Sequence, residues 1–126
     1  MGASRFEELI AWQKARALTK EIYKVTMVGK YSKDFGLRVQ IQRAAVSVMS
    51  NIAEGFERSR PKDFKKFLIY SKASCAEVRS QLYVALDIGY LDESEVDKLQ
   101  QQASEVAKIV TSLRKSIKTQ PDSFYE

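Results

Sequence analysis

Glu54 and Glu57 lie one helical turn apart, with Arg43 and Arg58 close by in the same stretch of chain. Two carboxylates at that spacing share a helix face. They are the best candidates in the chain for acid–base work or for holding a cation. Both chemistries ask for more than the sequence supplies. Metal sites inside helical bundles draw on Glu-x-x-His motifs, and this chain has no histidine at all. The same gap removes Ser-His-Asp and Cys-His nucleophiles and most zinc sites. Ser47, Ser50 and Asn51 have no base at hand to activate them, so they read as small polar contacts that let helices approach closely. There is no P-loop, no glycine-rich dinucleotide turn and no Gly-x-Ser-x-Gly elbow. The expected use of Glu54 is an ion pair with an arginine of its own or a neighbouring subunit. No catalytic residue, metal or cofactor is expected.

The cations carry a stronger signal. Residues 58–66 hold five basic side chains in nine positions: Arg58, Arg60, Lys62, Lys65 and Lys66. Arg16, Lys20 and Lys24 form a second basic strip. Phosphate contact and plain solvation of a helix end both suit such clusters. The net charge of +5 permits nucleic-acid or acidic-protein binding without demanding it. The aromatic residues fall mostly on core stripes, which makes them poor platforms for stacking unpaired bases.

Four amphipathic segments must position these groups. Their expected bounds are about 5–28, 34–58, 61–88 and 93–118, with Pro121 onward as a frayed tail. Ser4 and Glu7 match a capping box, as do Asp92 and Glu95. Lys30 to Asp34 reads as a polar connector, with Ser32 or Asp34 as the next cap. Pro61 suits a first helical position, and Gly29 and Gly89 suit helix stops. The third segment keeps Phe64, Phe67, Leu68, Ser71, Cys75, Val78, Leu82, Ala85 and Leu86 in one sector. The fourth carries an a/d-type seam: Val96, Leu99, Ala103, Val106, Val110, Leu113 and Ile117. Short connectors between long helices give an all-α, antiparallel up-down-up-down four-helix bundle in one domain, residues 1–120.

In such a bundle the start of the first helix, the turn at 58–61 and the end of the last helix share one pole. That pole collects Arg5, the 58–66 cluster, Arg114, Lys115 and Lys118. The single cysteine, Cys75, cannot make an internal disulfide and reads as a small buried hydrophobe. No window is long and apolar enough for a membrane span, and the N-terminus lacks a signal-peptide core. The expected location is the cytoplasm.

The second segment is unusually apolar. Leu37, Ile41, Ala44, Ala45, Val48, Met49, Ile52 and Phe56 share one broad face, and Val39, Val46 and Ala53 widen it. Only a narrow seam of Gln40, Arg43, Ser47, Ser50 or Asn51, and Glu54 is polar. Ile10 and Met27 lie off the core stripe of the first segment. This is more apolar surface than one small core uses. Burial against copies of the same chain is the expected remedy.

Several runs match a known family. They are Phe6-x-x-Leu9-x-Ala11-Trp12-Gln13-x-Ala15, then Gln42-Arg43-Ala44-Ala45-Val46-Ser47-Val48-x-Ser50-Asn51-Ile52-Ala53-Glu54-Gly55, then Phe64-x-x-Phe67-Leu68, and Ala85-x-x-x-Gly89-Tyr90-Leu91. Across residues 5–118 the chain resembles the 23S rRNA intervening-sequence proteins, also labelled S23 ribosomal proteins. The resemblance implies a left-handed bundle assembling into a homopentameric ring. It also implies kinship with the pentameric accessory protein of diversity-generating retroelements, which binds nucleic acid and a reverse transcriptase. The family motif falls on Trp12, Gln13, Arg43, Ala44, Ser47, Asn51, Ala53, Glu54 and Gly55, expected at subunit contacts, and brings no catalytic residues. The function so implied is RNA or other nucleic-acid binding by an oligomer. An adaptor that docks a protein partner, such as a reverse-transcriptase-like enzyme, is the alternative.

Overall fold

The computed structural model describes residues 2–118, so the tail expected from Pro121 lies outside the described residues. Among those described, every regular element is helical. A 3₁₀ turn spans Phe6–Glu8, followed by α1 (Ile10–Thr26), α2 (Gly29–Lys33), α3 (Phe35–Glu57), α4 (Pro61–Asp87) and α5 (Glu93–Ser116).

The first expected helix is broken at Leu9, whose extended backbone (ψ 127°) separates the 3₁₀ turn from α1. Ser4 does not cap through Glu7. Its amide and hydroxyl both meet the Glu8 carboxylate, the amide at 2.9 Å. The connector expected at residues 30–34 is instead α2, a single short helix started by Gly29 at φ 61°. Tyr31 on α2 is buried against the ring of Tyr90, with centroids 5.3 Å apart. Asp34 then caps α3 by accepting from the Leu37 amide at 3.1 Å.

Later boundaries follow local chemistry. Pro61 opens α4, where its missing N–H costs nothing. Gly89, at φ 79°, lets the chain turn after α4. Asp92 and Glu95 form the reciprocal capping box at the start of α5, with bonds of 2.8 and 3.0 Å.

The four long helices share one apolar core. Ala11, Ala15, Leu18 and Ile22 come from α1, and Ile41, Ala45, Val48 and Ile52 from α3. Leu68, Cys75, Val78 and Leu82 come from α4, and Val96, Leu99, Ala103, Val106 and Val110 from α5. Helix α1 packs on α3 and α5, and α4 packs on the same two. Cross-links fix direction. Ser71 donates to the Val48 carbonyl at 2.8 Å and Ser74 to the Ser47 hydroxyl at 2.9 Å, so numbers rise on α3 as they fall on α4. The same inverse register joins α4 to α5 through Arg79–Gln100 and Lys65–Arg114. It joins α1 to α3 through Thr19–Ala45 and Thr26–Gln42.

Cys75 sits in this core, and burial pushes its thiol up to about 11, with Arg79 pulling weakly the other way. No helix among the described residues is long and apolar enough to cross a membrane.

Candidate functional site

The basic pole takes shape where α3 ends, α4 begins and α5 ends. Arg114 near the end of α5 donates to the Lys65 carbonyl at 3.3 Å, which ties the α5 terminus to the first turns of α4. The 3₁₀ turn carrying Arg5's neighbours packs on α3. Lys65, Lys66, Lys115 and Lys118 therefore belong to one end of the molecule, with Arg58, Arg60 and Lys62 beside them.

Acids blunt part of this charge. Arg58 meets Glu54 at 3.1 Å and lies 4.8 Å above the Phe67 ring. Arg60 approaches Asp63 at 3.9 Å, and Arg5 approaches Glu7 at 3.4 Å. These are exposed pairs that high dielectric and salt weaken. Among the described residues Lys65, Lys66 and Lys115 have no acidic partner. The positive end is thus built from a few uncommitted lysines around an arginine fixed by an acid and a ring.

On α1, Arg16 stacks over Trp12 at 5.6 Å, and Lys20 is exposed one turn further on. They lie on α1, one and two turns beyond Trp12, on a different helix from the 58–66 cluster.

The motif residues knit the chain to itself. Trp12 meets Phe6 edge-on at 5.2 Å, and the Gln13 amide donates to the Glu7 carbonyl at 2.8 Å. Both contacts fasten the 3₁₀ turn onto α1. Asn51 donates to the carbonyl and hydroxyl of Ser47, both at 2.9 Å, and Ser47 in turn meets Ser74 of α4. Gly55 gives α4 room: a β-carbon there would stand 2.6 Å from the Phe67 β-carbon. Glu54 is the acid of the Arg58 pair, so of the two expected partners, an arginine of its own or of a neighbouring subunit, it meets one of its own. Arg43 makes none of these contacts. It lines a groove between α3 and α4 together with Ser47, Glu77 and Gln81.

Glu54 and Glu57 gather no further acid or cysteine. The described residues contain no group of three or more potential metal ligands.

A family model, the 23S rRNA-intervening sequence protein, matches residues 7–112. The chain belongs to this family. The match begins inside the 3₁₀ turn and takes in α1 to α4 and most of α5, so the motif on α3 and the 58–66 cluster lie within the family's shared region. A crystal structure of a protein of unknown function from the S23 ribosomal protein family of Bacteroides thetaiotaomicron VPI-5482 superposes with a TM-score of 0.76. It is 21% identical and covers 85% of this chain and 100% of its own. At that identity the likeness is one of fold. No curated protein matches the chain.

Sequence reasoning missed the outer face of α4. Ile69, Tyr70, Tyr83 and Val84 are exposed there, and Ala73 and Ala76 lie between them. The signal was the recurrence of apolar and small residues at helical spacing on the side opposite the core stripe.

Proposed function

We propose that this member of the 23S rRNA-intervening sequence protein family is a non-enzymatic, cytoplasmic RNA-binding oligomer, a ring of left-handed up-down-up-down four-helix bundles. The observation that carries the binding reading is the pole tied together by the Arg114–Lys65 bond, where Lys65, Lys66 and Lys115 stand without acidic partners. Lysines held at one end of a rigid bundle offer phosphates several contacts at once. Each contact releases counterions, so affinity falls steeply with salt.

Ring assembly, with five copies as the family resemblance implies, draws support from where the exposed apolar side chains fall. Helices α1 and α4 lie across the core from each other, each packed on α3 and α5. The α1–α3 side exposes Tyr23, Met27, Phe35 and Val46, while the α4 side exposes Ile69, Tyr70, Tyr83 and Val84. Two different apolar faces on opposite sides suit head-to-tail contacts, which close into rings. Trp12, on the α1 flank, would lie at the edge of such a contact.

One feature favours the adaptor reading. At the end away from the basic pole, Val28 and Phe35 are 63% and 70% exposed. An apolar tip beside Lys30 and Lys33 suits a protein surface better than a phosphate backbone. A filter-binding titration of structured RNA across a salt series separates the two readings. Binding that weakens linearly with the logarithm of salt supports the RNA reading. Undetectable or salt-insensitive binding, with a stable protein partner in nuclease-treated host extract, supports the adaptor.

A further inference from the structure

The groove between α3 and α4 lies apart from the basic pole and encloses about 450 Å³, within the range of small-molecule clefts. Its polar lining is balanced. Arg43 supplies a guanidinium from α3 and Glu77 a carboxylate from α4, and among the described residues neither is hydrogen-bonded or ion-paired. Both face the same groove without meeting, which leaves space between opposite charges. Gln81 also lines it, and its buried side-chain oxygen has no protein donor. Ser47 and Ser80 add hydroxyls, and Ala44 leaves the wall small.

This combination selects against a phosphate. Glu77 would repel an anion, and the two charges cancel across the groove. It suits a neutral, planar group with acceptors on one edge and donors on another. A guanidinium pairs well with the O6 and N7 acceptors of guanine. A carboxylate and an unsatisfied amide oxygen are acceptors only, and the N1–H and N2–H₂ edge of guanine offers the matching donors. Adenine presents a donor where Arg43 needs an acceptor. Uracil has one ring N–H donor and no amino group. Unpaired bases in RNA loops are read in this way, splayed out with their edges exposed.

We infer that the α3–α4 groove takes an unpaired guanine base, with Arg43 on its O6/N7 edge and Glu77 with Gln81 on its N1/N2 edge. The inference rests on the RNA reading, for which it supplies a specificity that the lysines at the pole lack.

The test is a titration of the full-length protein with the pentanucleotides UUGUU, UUAUU and UUIUU (I, inosine), with guanosine monophosphate alone in a parallel arm. The expected order is UUGUU tightest, by about tenfold over UUAUU, with UUIUU between them because inosine lacks the N2 amino group. Arg43→Ala and Glu77→Ala should each erase the preference while leaving the helical signal and melting temperature in place, since both side chains are exposed on helices. Guanosine monophosphate binding as tightly as UUGUU, with the same loss in both variants, would mark the free nucleotide as the source of the base. Equal affinity for UUGUU and UUAUU overturns the groove assignment. If structured RNA still binds in that case, the reading of the pole survives it. If no RNA and no nucleotide binds, both fall together.

Discussion

A β-carbon added at Gly55 would stand 2.6 Å from the β-carbon of Phe67 and 3.2 Å from a ring carbon of Phe64. Helices α3 and α4 approach closely here because one of them presents no side chain. On helix propensity alone, Gly55→Ala should stabilise the last turns of α3 by about 1 kcal/mol. Overpacking against a β-carbon that cannot swing aside works in the opposite sense and costs about 1–3 kcal/mol. The expected outcome is net destabilisation, read as a lower urea midpoint with an unchanged slope. A Gly55→Ala protein as stable as the parent would show that the two helices part easily.

The Tyr90 hydroxyl donates to the Asp34 carboxylate at 2.9 Å and pins the α4–α5 turn to the start of α3. Tyr90→Phe removes this bond and should lower the urea midpoint modestly. Asp34→Ala should cost more, because Asp34 also caps α3. Chemical denaturation of the two single variants and the double variant measures the coupling. Strict additivity would mean that the bond contributes nothing.

Alkaline pH should weaken the same corner. Burial, then the nearby Asp34 and Tyr90, push the Tyr31 hydroxyl up to about 12, and the bond to Asp34 raises Tyr90 as well. Both groups hold their protons more tightly in the folded chain. Their contribution is complete below the unfolded tyrosine value near 10 and is lost as pH rises from there toward the folded value. Stability measured at pH 9 and pH 11 should fall, and Tyr31→Phe should reduce that fall. Since the Tyr31 hydroxyl has no protein partner, its removal should be neutral or slightly stabilising at pH 8. A Tyr31→Phe protein as pH-sensitive as the parent would contradict this assignment.

Cys75 should resist thiol reagents. Buried, and with its thiol pushed up to about 11, it offers almost no thiolate at pH 8. Labelling should proceed only as fast as the bundle opens and accelerate in denaturant. Rapid labelling of the native protein would place the thiol outside the core.

Much of the fold was legible in the chain because its signals are local. The Asp92–Glu95 box, Pro61, Gly89 and the stripe from Val96 to Val110 each depend on neighbours within a turn or two, and each appears in the structure. What escaped depends on contacts far apart in sequence. Tyr31 looked like part of a polar connector because the ring that buries it, Tyr90, arrives from the α4–α5 turn. The close approach at Gly55 was hidden for the same reason, since the side chains that leave no room for a β-carbon there stand on α4. The basic pole followed from the alternation of helix directions, and the Arg114–Lys65 bond brings its parts together. The α3–α4 groove could not be read at all, as Arg43 and Glu77 come to line it together only once the register of the two helices is set.

Whether the pole grips phosphates is the question on which the functional account turns. The direct measurement compares the salt dependence of structured-RNA binding by the parent protein with that of a Lys65→Gln/Lys66→Gln/Lys115→Gln variant. Three lost phosphate contacts should flatten the slope of log K against log salt by about 3 and weaken binding similarly for all sequences. An unchanged slope and affinity would mean that RNA does not meet this end of the molecule, and the account would be wrong.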